Sequence, residues 1–334
     1  MTIPPLPDAP PRAPTLAVEL MFEAAARLGW RTRLIDPTFG YLWEVELPDG
    51  RRRTMVGAKT PINDASAAQV ASDKDYCARV LHEEGYPVPH SVRALSPKFF
   101  QGTEYADRSG PKRALDLAAR EGFPLIVKPN RMSHGRLVRV VRCESDLIAA
   151  LEQVWELDRI ALVQEFVEGR ELRLDLLDGQ PVACYERRAL ELVGDGQSTE
   201  AELLAALDRR FRDPRALLRA EADGLKPGNI LEAGATRRLE SGVHNLNRSA
   251  TATLLPTPPE RWRAWGARIA ERLGLRLAGI DLRIEGDGDP YDLDPAAAVV
   301  LEVNGTPLLT QLARMGHREL AIDTQARILV AAFG

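Results

Sequence analysis

The sequence predicts an α/β protein with an α+β part and more than one subdomain. The chain has 334 residues, of which 45% are hydrophobic, so it can bury a sizeable core and is too long for a single layer of structure. Short apolar stretches of strand length alternate with segments whose apolar residues recur at helical spacing. No internal repeat is found in the sequence. These observations indicate an α/β enzyme or binding protein.

The charge balance, the absence of long apolar runs and the cysteine content restrict the class of protein further. The net charge is −4 and the pI is about 5.9, so no overall field attracts nucleic acid or anionic lipid. No apolar run approaches the ~20 residues that a membrane helix needs. Cys77, Cys143 and Cys184 are odd in number and lack metal-ligand spacing, as expected of reduced thiols. We therefore expect a cytoplasmic protein without nucleic-acid or membrane partners.

The pattern of helices and strands divides the chain into four predicted segments. Residues 1–14 are rich in proline and have no apolar signal-peptide core, which predicts a disordered arm. Residues 15–72 form an α/β subdomain whose first helix ends at Gly29 and whose hairpin turns at Pro48 to Gly50. Residues 73–172 form an α+β lid, and residues 173–334 a C-terminal subdomain. Within the last segment, residues 210–250 have weak periodicity and receive no assignment.

A lysine at the end of an apolar strand is the first candidate functional residue. Residues 123–127 are almost continuously apolar, and Lys128 and Pro129 follow them. Since proline cannot continue a central ladder, the ammonium group of Lys128 can protrude from the sheet edge into a cleft. Burying it unpaired is costly, so it needs an anionic partner. The alternative is a surface lysine whose stem packs on the protein.

The loop at residues 130–136 and the segment at residues 161–171 are the next candidates. In the loop, Asn, Ser and Gly permit turns that point backbone N–H groups at phosphate oxygens, although an ordinary hairpin loop is the alternative. In the second segment an apolar strand becomes polar at Gln164 and Glu165. Such a crossing can offer backbone groups to an adenine edge, with Glu171 facing the ribose; a plain connection between strands is the alternative. P-loop and dinucleotide-binding glycine motifs are missing from the sequence.

Two acidic residues near the C-terminus are the strongest candidates for a chemical role in the sequence. Asp281 and Glu302 each lie in a short apolar strand, and Asn304 follows two residues after the second. Two carboxylates ~4 Å apart repel by about 4 kcal/mol at an effective dielectric of ~20. A shared Mg²⁺ removes that cost and prefers oxygen ligands of these types. A single acidic residue on a strand is usually at the surface, but two in apolar strands favour a metal site.

One arginine in a polar loop is the last candidate. Arg248 lies in the run from Asn245 to Ser249. A guanidinium there could hold a transferring phosphoryl group, because it suits developing negative charge. A single polar loop is, by itself, weak evidence for such a role.

The order of these motifs resembles the ATP-grasp superfamily from about residue 64 to the end. The run comprises Ser72 to Lys74 opening a helix, the strand that ends at Lys128, the segment from Val163 to Glu171, Gly279 to Asp281, and Leu301 to Asn304. The stretches at residues 56–64, 133–138 and 192–199 are most similar to the ATP-grasp parts of cyanophycin synthetase and of bifunctional glutathione-synthesising ligases. The loop at Arg248 is more similar to that of glutamate ligases that modify a ribosomal protein. It departs from their pattern by continuing with Ser-Ala where they have Gly-Gly.

The resemblance implies an ATP-grasp fold of three subdomains, with ATP held between two α+β subdomains. It implies ATP and Mg²⁺ as cofactors, with Mn²⁺ as a substitute for Mg²⁺. The implied nucleotide-binding residues are Lys74, Lys128, Ser133, His134, Gly135, Arg136, Gln164, Glu165, Phe166, Val167 and Glu171. The implied metal ligands are Asp281, Glu302 and Asn304, and the implied catalytic residues are Arg248, Lys128 and Asn304.

The resemblance also implies an activity. We expect a carboxylate–amine ligase that activates an acid as an acyl phosphate, joins it to an amine, and releases ADP and phosphate. Its substrates would be small molecules or peptides. The resemblance also implies a homodimer, which is common in the family. Two alternatives stay open: an ATP-dependent kinase without an amine acceptor, and a nucleotide-binding partner subunit with reduced catalysis.

Overall fold

A computed structural model describes residues 14–132, 135–207, 209–212, 214–222, 224–239 and 250–334. Most of the predicted N-terminal arm, Ser133, His134 and Arg248 lie outside the described residues. Cys77, Cys143 and Cys184 are all free thiols, and the first and last of them are buried. None of the helices in the described part of the chain is both long and apolar enough to cross a membrane.

The helices and strands alternate along the chain. The helices are α1 Leu16–Arg27, α2 Ala65–Ser72, α3 Lys74–Glu83, α4 Pro97–Phe100, α5 Lys112–Glu121, α6 Glu144–Trp155, α7 Glu200–Leu207, α8 Pro214–Ala222, α9 Glu260–Arg272, α10 Thr310–Arg314 and α11 Arg318–Phe333. The strands are β1 Arg31–Leu34, β2 Leu42–Glu46, β3 Arg52–Val56, β4 Ser91–Leu95, β5 Leu125–Pro129, β6 Arg139–Val141, β7 Ile160–Glu165, β8 Arg170–Leu177, β9 Gln180–Ala189, β10 Glu191–Val193, β11 Thr236–Arg238, β12 Ala250–Leu254, β13 Leu277–Ile284 and β14 Val299–Asn304.

The N-terminal part is a three-stranded sheet, ordered β1-β2-β3, packed with helices from both ends of the chain. Helix α1 buries Met21 and Ala25 in the same core cluster as Ile328 and Leu329 of α11. Arg27 of α1 forms ion pairs with α11 carboxylates on the surface above this contact. The apolar face of the last helix therefore closes the first subdomain, although the two helices are separated by almost the whole sequence.

A four-stranded antiparallel sheet, ordered β4-β7-β5-β6, forms the second part. Its inner strands are apolar at Val127 and Val163, and these side chains share one core with Leu117 of α5 and with Leu147 and Leu151 of α6. Helices cover one face of the sheet, so its other face and its β5 end remain available to form the wall of a cleft.

The third part is a five-stranded antiparallel sheet, ordered β12-β9-β8-β13-β14. Along β8, the leucines at 172, 174 and 176 share a core cluster with Trp262 and Trp265 of α9. The period of two puts the residues that alternate with these leucines on the opposite face of the sheet. Those residues are Glu171, Arg173 and Asp175, and all three are buried. The sheet therefore has one apolar face and one face that buries charge.

A small unit contains most of the residues that the sequence left unassigned. Strands β10 and β11 pair antiparallel, and Leu192, Leu204 and Leu239 form a separate core cluster with α8 residues. Glu200 is fully buried and accepts hydrogen bonds from the Lys226 backbone N–H at 2.8 Å, Asn229 Nδ2 at 2.7 Å and Arg237 Nη1 at 3.0 Å. One buried carboxylate thus holds together the loop that joins α8 to β11.

The first predicted helix is confirmed as α1, and the predicted hairpin as β2 and β3. The apolar strand before Lys128 is confirmed as β5, which extends to Pro129. Helices α2, α4 and α10 and strands β4, β10 and β12 were not predicted, and the unassigned stretch contains α8 and β11. The mixed α/β fold class is confirmed. The boundary between residues 172 and 173 stays a prediction, and it falls within β8, which starts at Arg170.

The small unit yields a stability prediction. Replacing Glu200 with Ala leaves three donors without their acceptor, and we expect a loss of about 3 kcal/mol in unfolding free energy. Urea denaturation followed by far-UV circular dichroism measures this loss. Glu191→Ala, at an exposed position of β10, is the control and should change the free energy by less than about 0.5 kcal/mol. Equal losses in the two variants would show that the buried carboxylate has no special role.

Candidate active site

A cleft of about 730 Å³ lies between the four-stranded and the five-stranded sheets. Its walls include the end of β5, the chain after β7, the charged face of β8, β9 and β13, and residues 305–308 that follow β14. Helices α2 and α3 and the turn after β3 line the remaining side. The cleft has the size and position of a site for a ligand with both apolar and charged parts.

Asn130 brings two lysines that are distant in sequence into this cleft. Its side-chain Oδ1 accepts the Asp75 backbone N–H at 3.1 Å, and its backbone carbonyl accepts the Lys74 N–H at 3.3 Å. The first turn of α3 is thereby attached to the end of β5. Asp73 caps the helix by accepting the Tyr76 N–H at 3.1 Å. Lys74 and Lys128 consequently stand on the same side of the cleft.

Lys128 is a buried cation whose desolvation is only partly offset by nearby negative charge. Its residue is 7% exposed, and burial lowers the pKa of its ammonium group to about 8, an effect that Glu302 opposes and Lys74 adds to. Lys74, which is also buried, donates a hydrogen bond to the Met132 carbonyl at 2.7 Å and lies 3.8 Å from Glu302. The two ammonium groups repel each other, so an anionic ligand between them would relieve an existing strain in the site.

The two predicted acidic residues face each other from neighbouring strands. Asp281 of β13 and Glu302 of β14 are partners in the antiparallel register, with an irregularity immediately after Asp281. Asn304 donates from Nδ2 to Asp281 Oδ2 at 3.0 Å, which leaves its own amide oxygen free to accept. Two carboxylates and an amide oxygen from adjacent strands are ligand types that suit Mg²⁺.

Asp281 is embedded in a buried ion-pair network that sequence reasoning missed. Arg173 Nη1 lies 2.7 Å from Asp281 Oδ2, and Arg187 Nη1 lies 2.9 Å from Oδ1. Burial opposes the ionisation of Asp281, but these two guanidinium groups hold the pKa of its carboxyl below the usual value. The Arg187 contact to Oδ1 is a charge contact without directed hydrogen-bond geometry, so Oδ1 retains a lone pair for another ligand.

The network extends to Glu171, for which the sequence predicted a contact with ribose. Glu171 forms ion pairs with Arg187 at 2.9 Å and Arg283 at 3.2 Å, and burial raises the pKa of its carboxyl against the opposing effect of both arginines. A signal for this network existed, because charged residues alternate with leucines from residue 171 to 176. That alternation predicts one charged and one apolar face.

The predicted contacts to a nucleotide base lie at one end of the cleft. Gln164, Glu165, Phe166 and Val167 line it together with Ile126. The Glu165 carboxylate accepts the His90 backbone N–H at 3.0 Å.

The phosphate loop is only partly placed at the cleft. Gly135 lines the cleft, whereas Arg136 is exposed and is not among the lining residues. Arg131, from the same loop, does line it. The roles of these residues, and of those outside the described part of the chain, stay predictions.

Comparison with solved structures identifies the fold. The chain has the ATP-grasp fold, as the order of its motifs predicts. It aligns with a bifunctional glutathione synthetase from Pasteurella multocida over 94% of this chain and 44% of that one, with a TM-score of 0.55 and 18% identity. A D-alanine–D-alanine ligase from Bacillus anthracis aligns over 81% of this chain and 69% of the other, with a TM-score of 0.50 and 16% identity.

Sequence comparison gives particular relatives. The family model for the D-ala D-ala ligase C-terminus matches residues 97–195. A cyanophycin synthetase of a Nostoc species is 27% identical over 264 residues, which are 72% of this chain and 26% of the relative. The bifunctional glutathione biosynthesis protein of Streptococcus agalactiae is 25% identical over 256 residues, which are 71% of this chain and 32% of the relative. The chain thus spans about a quarter to a third of the length of these relatives.

The buried network yields a prediction at Gly279, which lies beside Arg173. A Cβ at this position would overlap the Arg173 guanidinium, so Gly279→Ala should displace that group from Asp281. We expect a loss of about 1–3 kcal/mol in unfolding free energy, measured by urea denaturation. Gly228→Ala is the matched control, since a Cβ there meets no atom within 4 Å. Similar stabilities of the two variants would contradict the proposed overlap.

Lys128 yields a prediction about pH. The folded-state pKa of about 8 lies below the ordinary 10.5, so keeping Lys128 charged in the folded protein costs stability. Lys128→Met should raise the unfolding free energy of the ligand-free protein by about 3 kcal/mol below pH 8. The gain should shrink as pH rises above 8 and disappear above 10.5, where the lysine is neutral in both states. Denaturant titrations at pH 7 and pH 10 test this, with the exposed Lys112→Met as control; a gain independent of pH would refute the charge explanation.

Proposed function

We propose that the chain is an ATP-dependent carboxylate–amine ligase that acts through an acyl phosphate and takes small-molecule or peptide substrates. The observation that carries the proposal is that Lys74 and Lys128 line the same cleft as Asp281 and Glu302, with the Lys74 ammonium group 3.8 Å from Glu302. This arrangement supplies cations for phosphate oxygens and oxygen ligands for a divalent cation at the same place. The similarity to ATP-grasp ligases supports the same reaction class.

ATP is proposed to lie with its base at the end formed by residues 164–167 and its phosphates between the two lysines. Apolar contacts with Ile126, Phe166 and Val167 suit a purine ring, and the backbone after β7 is available to the base edge. Asp281, Glu302 and Asn304 would hold Mg²⁺, which neutralises phosphate charge when bound. The free lone pair on Asp281 Oδ1 and the amide oxygen of Asn304 support this fit.

The proposed reaction has two balanced steps. A carboxylate oxygen of the acid attacks the γ-phosphorus of ATP, and the bond to the β-phosphate oxygen breaks to release ADP. The amine then attacks the acyl carbon, loses a proton, and the tetrahedral intermediate expels phosphate to leave an amide. The chain contributes positioning and charge, because Lys128 and Lys74 stabilise phosphoryl oxygens whose charge rises in the transition state.

Exclusion of water is the second contribution of the fold. An acyl phosphate hydrolyses in water, so the ligand must be covered while the amine attacks. The cleft lies between the two sheets, and Arg131 and Gly135 are among the residues that line it. Movement of the four-stranded sheet relative to the five-stranded sheet would open and close the site.

The test is the stoichiometry of product release. Purified protein with Mg²⁺ and ATP is offered amino acids and dipeptides singly and in pairs, and ADP, phosphate and product mass are measured. ADP should appear only when an acid and an amine are both present. Glu302→Gln should lower turnover by at least a hundredfold, because it removes a charged metal ligand, whereas Lys112→Met should retain it.

Other outcomes separate the alternatives. ADP formed at the same rate without any amine, together with a stable phosphorylated product, would identify a kinase. Protection by ATP against thermal unfolding without any ADP would identify a binding subunit. Protection that requires Mg²⁺ and is lost in Glu302→Gln supports the metal site by a readout that does not depend on turnover.

A further inference from the structure

The cleft lining contains polar groups that the proposed function does not use. Tyr41, Lys59 and Thr60 of the N-terminal subdomain are among them, as is Gln311 of α10. We refer to Tyr41, Lys59 and Thr60 as the turn subsite. These residues belong to neither of the two sheets that enclose the proposed nucleotide position.

The turn subsite is built on a rigid backbone. Gly57, with φ of +58°, begins the turn after β3 and donates its N–H to the Tyr41 carbonyl at 2.9 Å. Trp43 Nε1 donates to the Gly57 carbonyl at 2.8 Å, and the Lys59 N–H donates to the Val56 carbonyl at 3.1 Å. A Cβ at Gly57 would lie 2.6 Å from the Tyr41 ring, so the ring packs directly on this glycine. The turn therefore presents its side chains at a fixed place.

Two side chains of the turn subsite lack partners within the described part of the protein. No carboxylate among those residues lies within 4.0 Å of the Lys59 ammonium group, although most other cleft cations are paired. Thr60 Oγ1 is buried and makes no hydrogen bond there. A buried hydroxyl without a partner is costly, and a cation without one attracts an anion. Together they match the donors that a carboxylate requires.

The turn subsite is held at a fixed position relative to the proposed metal ligands by Asn63. Asn63 Nδ2 donates to the Gly305 carbonyl at 2.7 Å and to the Leu277 carbonyl at 2.8 Å. Its Oδ1 accepts the N–H groups of Arg276 at 2.8 Å and Leu277 at 3.0 Å. Gly305 follows Asn304 directly, and Leu277 begins the strand that carries Asp281. Asn63, three residues after Thr60, therefore links the turn subsite to the two strands that carry the proposed metal ligands.

We propose that Lys59 and Thr60 bind a second carboxylate of a substrate, one that does not react. The ligand class is an amino acid or peptide with a free carboxylate beyond the group that is joined. The Lys59 ammonium and the Thr60 hydroxyl both donate to this carboxylate, and Tyr41 covers it. This inference rests on the proposed ligase function and adds a determinant of its substrate specificity. The carboxylate belongs either to the amine partner or to the acid partner, and the test distinguishes these sources.

The experiment measures discrimination between a free carboxylate and its amide. For each pair that the wild-type protein joins, kcat/KM is determined with the amino acid and with its carboxamide as the amine partner. The second arm compares a dicarboxylic acid with its monoamide as the acid partner. In one arm the wild type should prefer the free carboxylate at least tenfold. Lys59→Met should lower that preference about tenfold and Thr60→Val severalfold, with KM for ATP unchanged.

Controls separate specificity from stability. Lys59 is exposed, so Lys59→Met should keep the thermal midpoint of the wild type, and Lys59→Arg should keep most of the preference because it keeps the charge. Lys112→Met, at an exposed lysine on another helix, should change nothing. An unchanged preference in Lys59→Met, or a raised KM for ATP instead, would overturn the turn subsite while leaving the ligase intact. A wild type that forms no ADP with any pair would overturn the ligase proposal and this inference together.

Discussion

The buried charge on one face of the five-stranded sheet is the constraint on which the site depends. Arg173, Arg187 and Arg283 lie among Glu171, Asp175 and Asp281 with little access to water. Removing one member would leave another charge buried and unpaired, which costs more than the pair contributes to stability. The network is therefore better understood as a device that fixes the orientation of Asp281 than as a source of stability.

The positively charged residues of the cleft differ in how well they are paired with carboxylates. The arginines are paired within the protein, whereas Lys128 is buried with a lowered pKa and Lys59 has no carboxylate partner in the described chain. The buried ammonium group of Lys128 incurs a desolvation cost that a ligand of opposite charge can offset on binding, whereas the exposed ammonium group of Lys59 is available to attract an anion. The two lysines lie toward different parts of the cleft, which is consistent with a nucleotide and a second anionic substrate bound side by side.

Sequence reasoning located most elements, because period-two and helical patterns depend only on neighbouring residues. It missed α2, whose alanines give little amphipathic signal, and β4, which is short and half-buried. It identified Lys128, Asp281 and Glu302 from their strands, but it interpreted Glu171 only as a ribose contact and not as a member of a buried ion-pair network. The alternation of charge and leucine there was available, yet alternation alone does not say whether the charged face meets water or other charges.

The sequence by itself determined the class of fold and the order of the motifs, since both follow from local patterns and their succession along the chain. Only the tertiary structure decided which charges meet. Asp281 lies against arginines more than ninety residues earlier in the sequence, and Asn63 is joined to strands more than two hundred residues later. Such contacts depend on how sheets pair and pack, and no periodicity within a segment encodes which distant partner will face it.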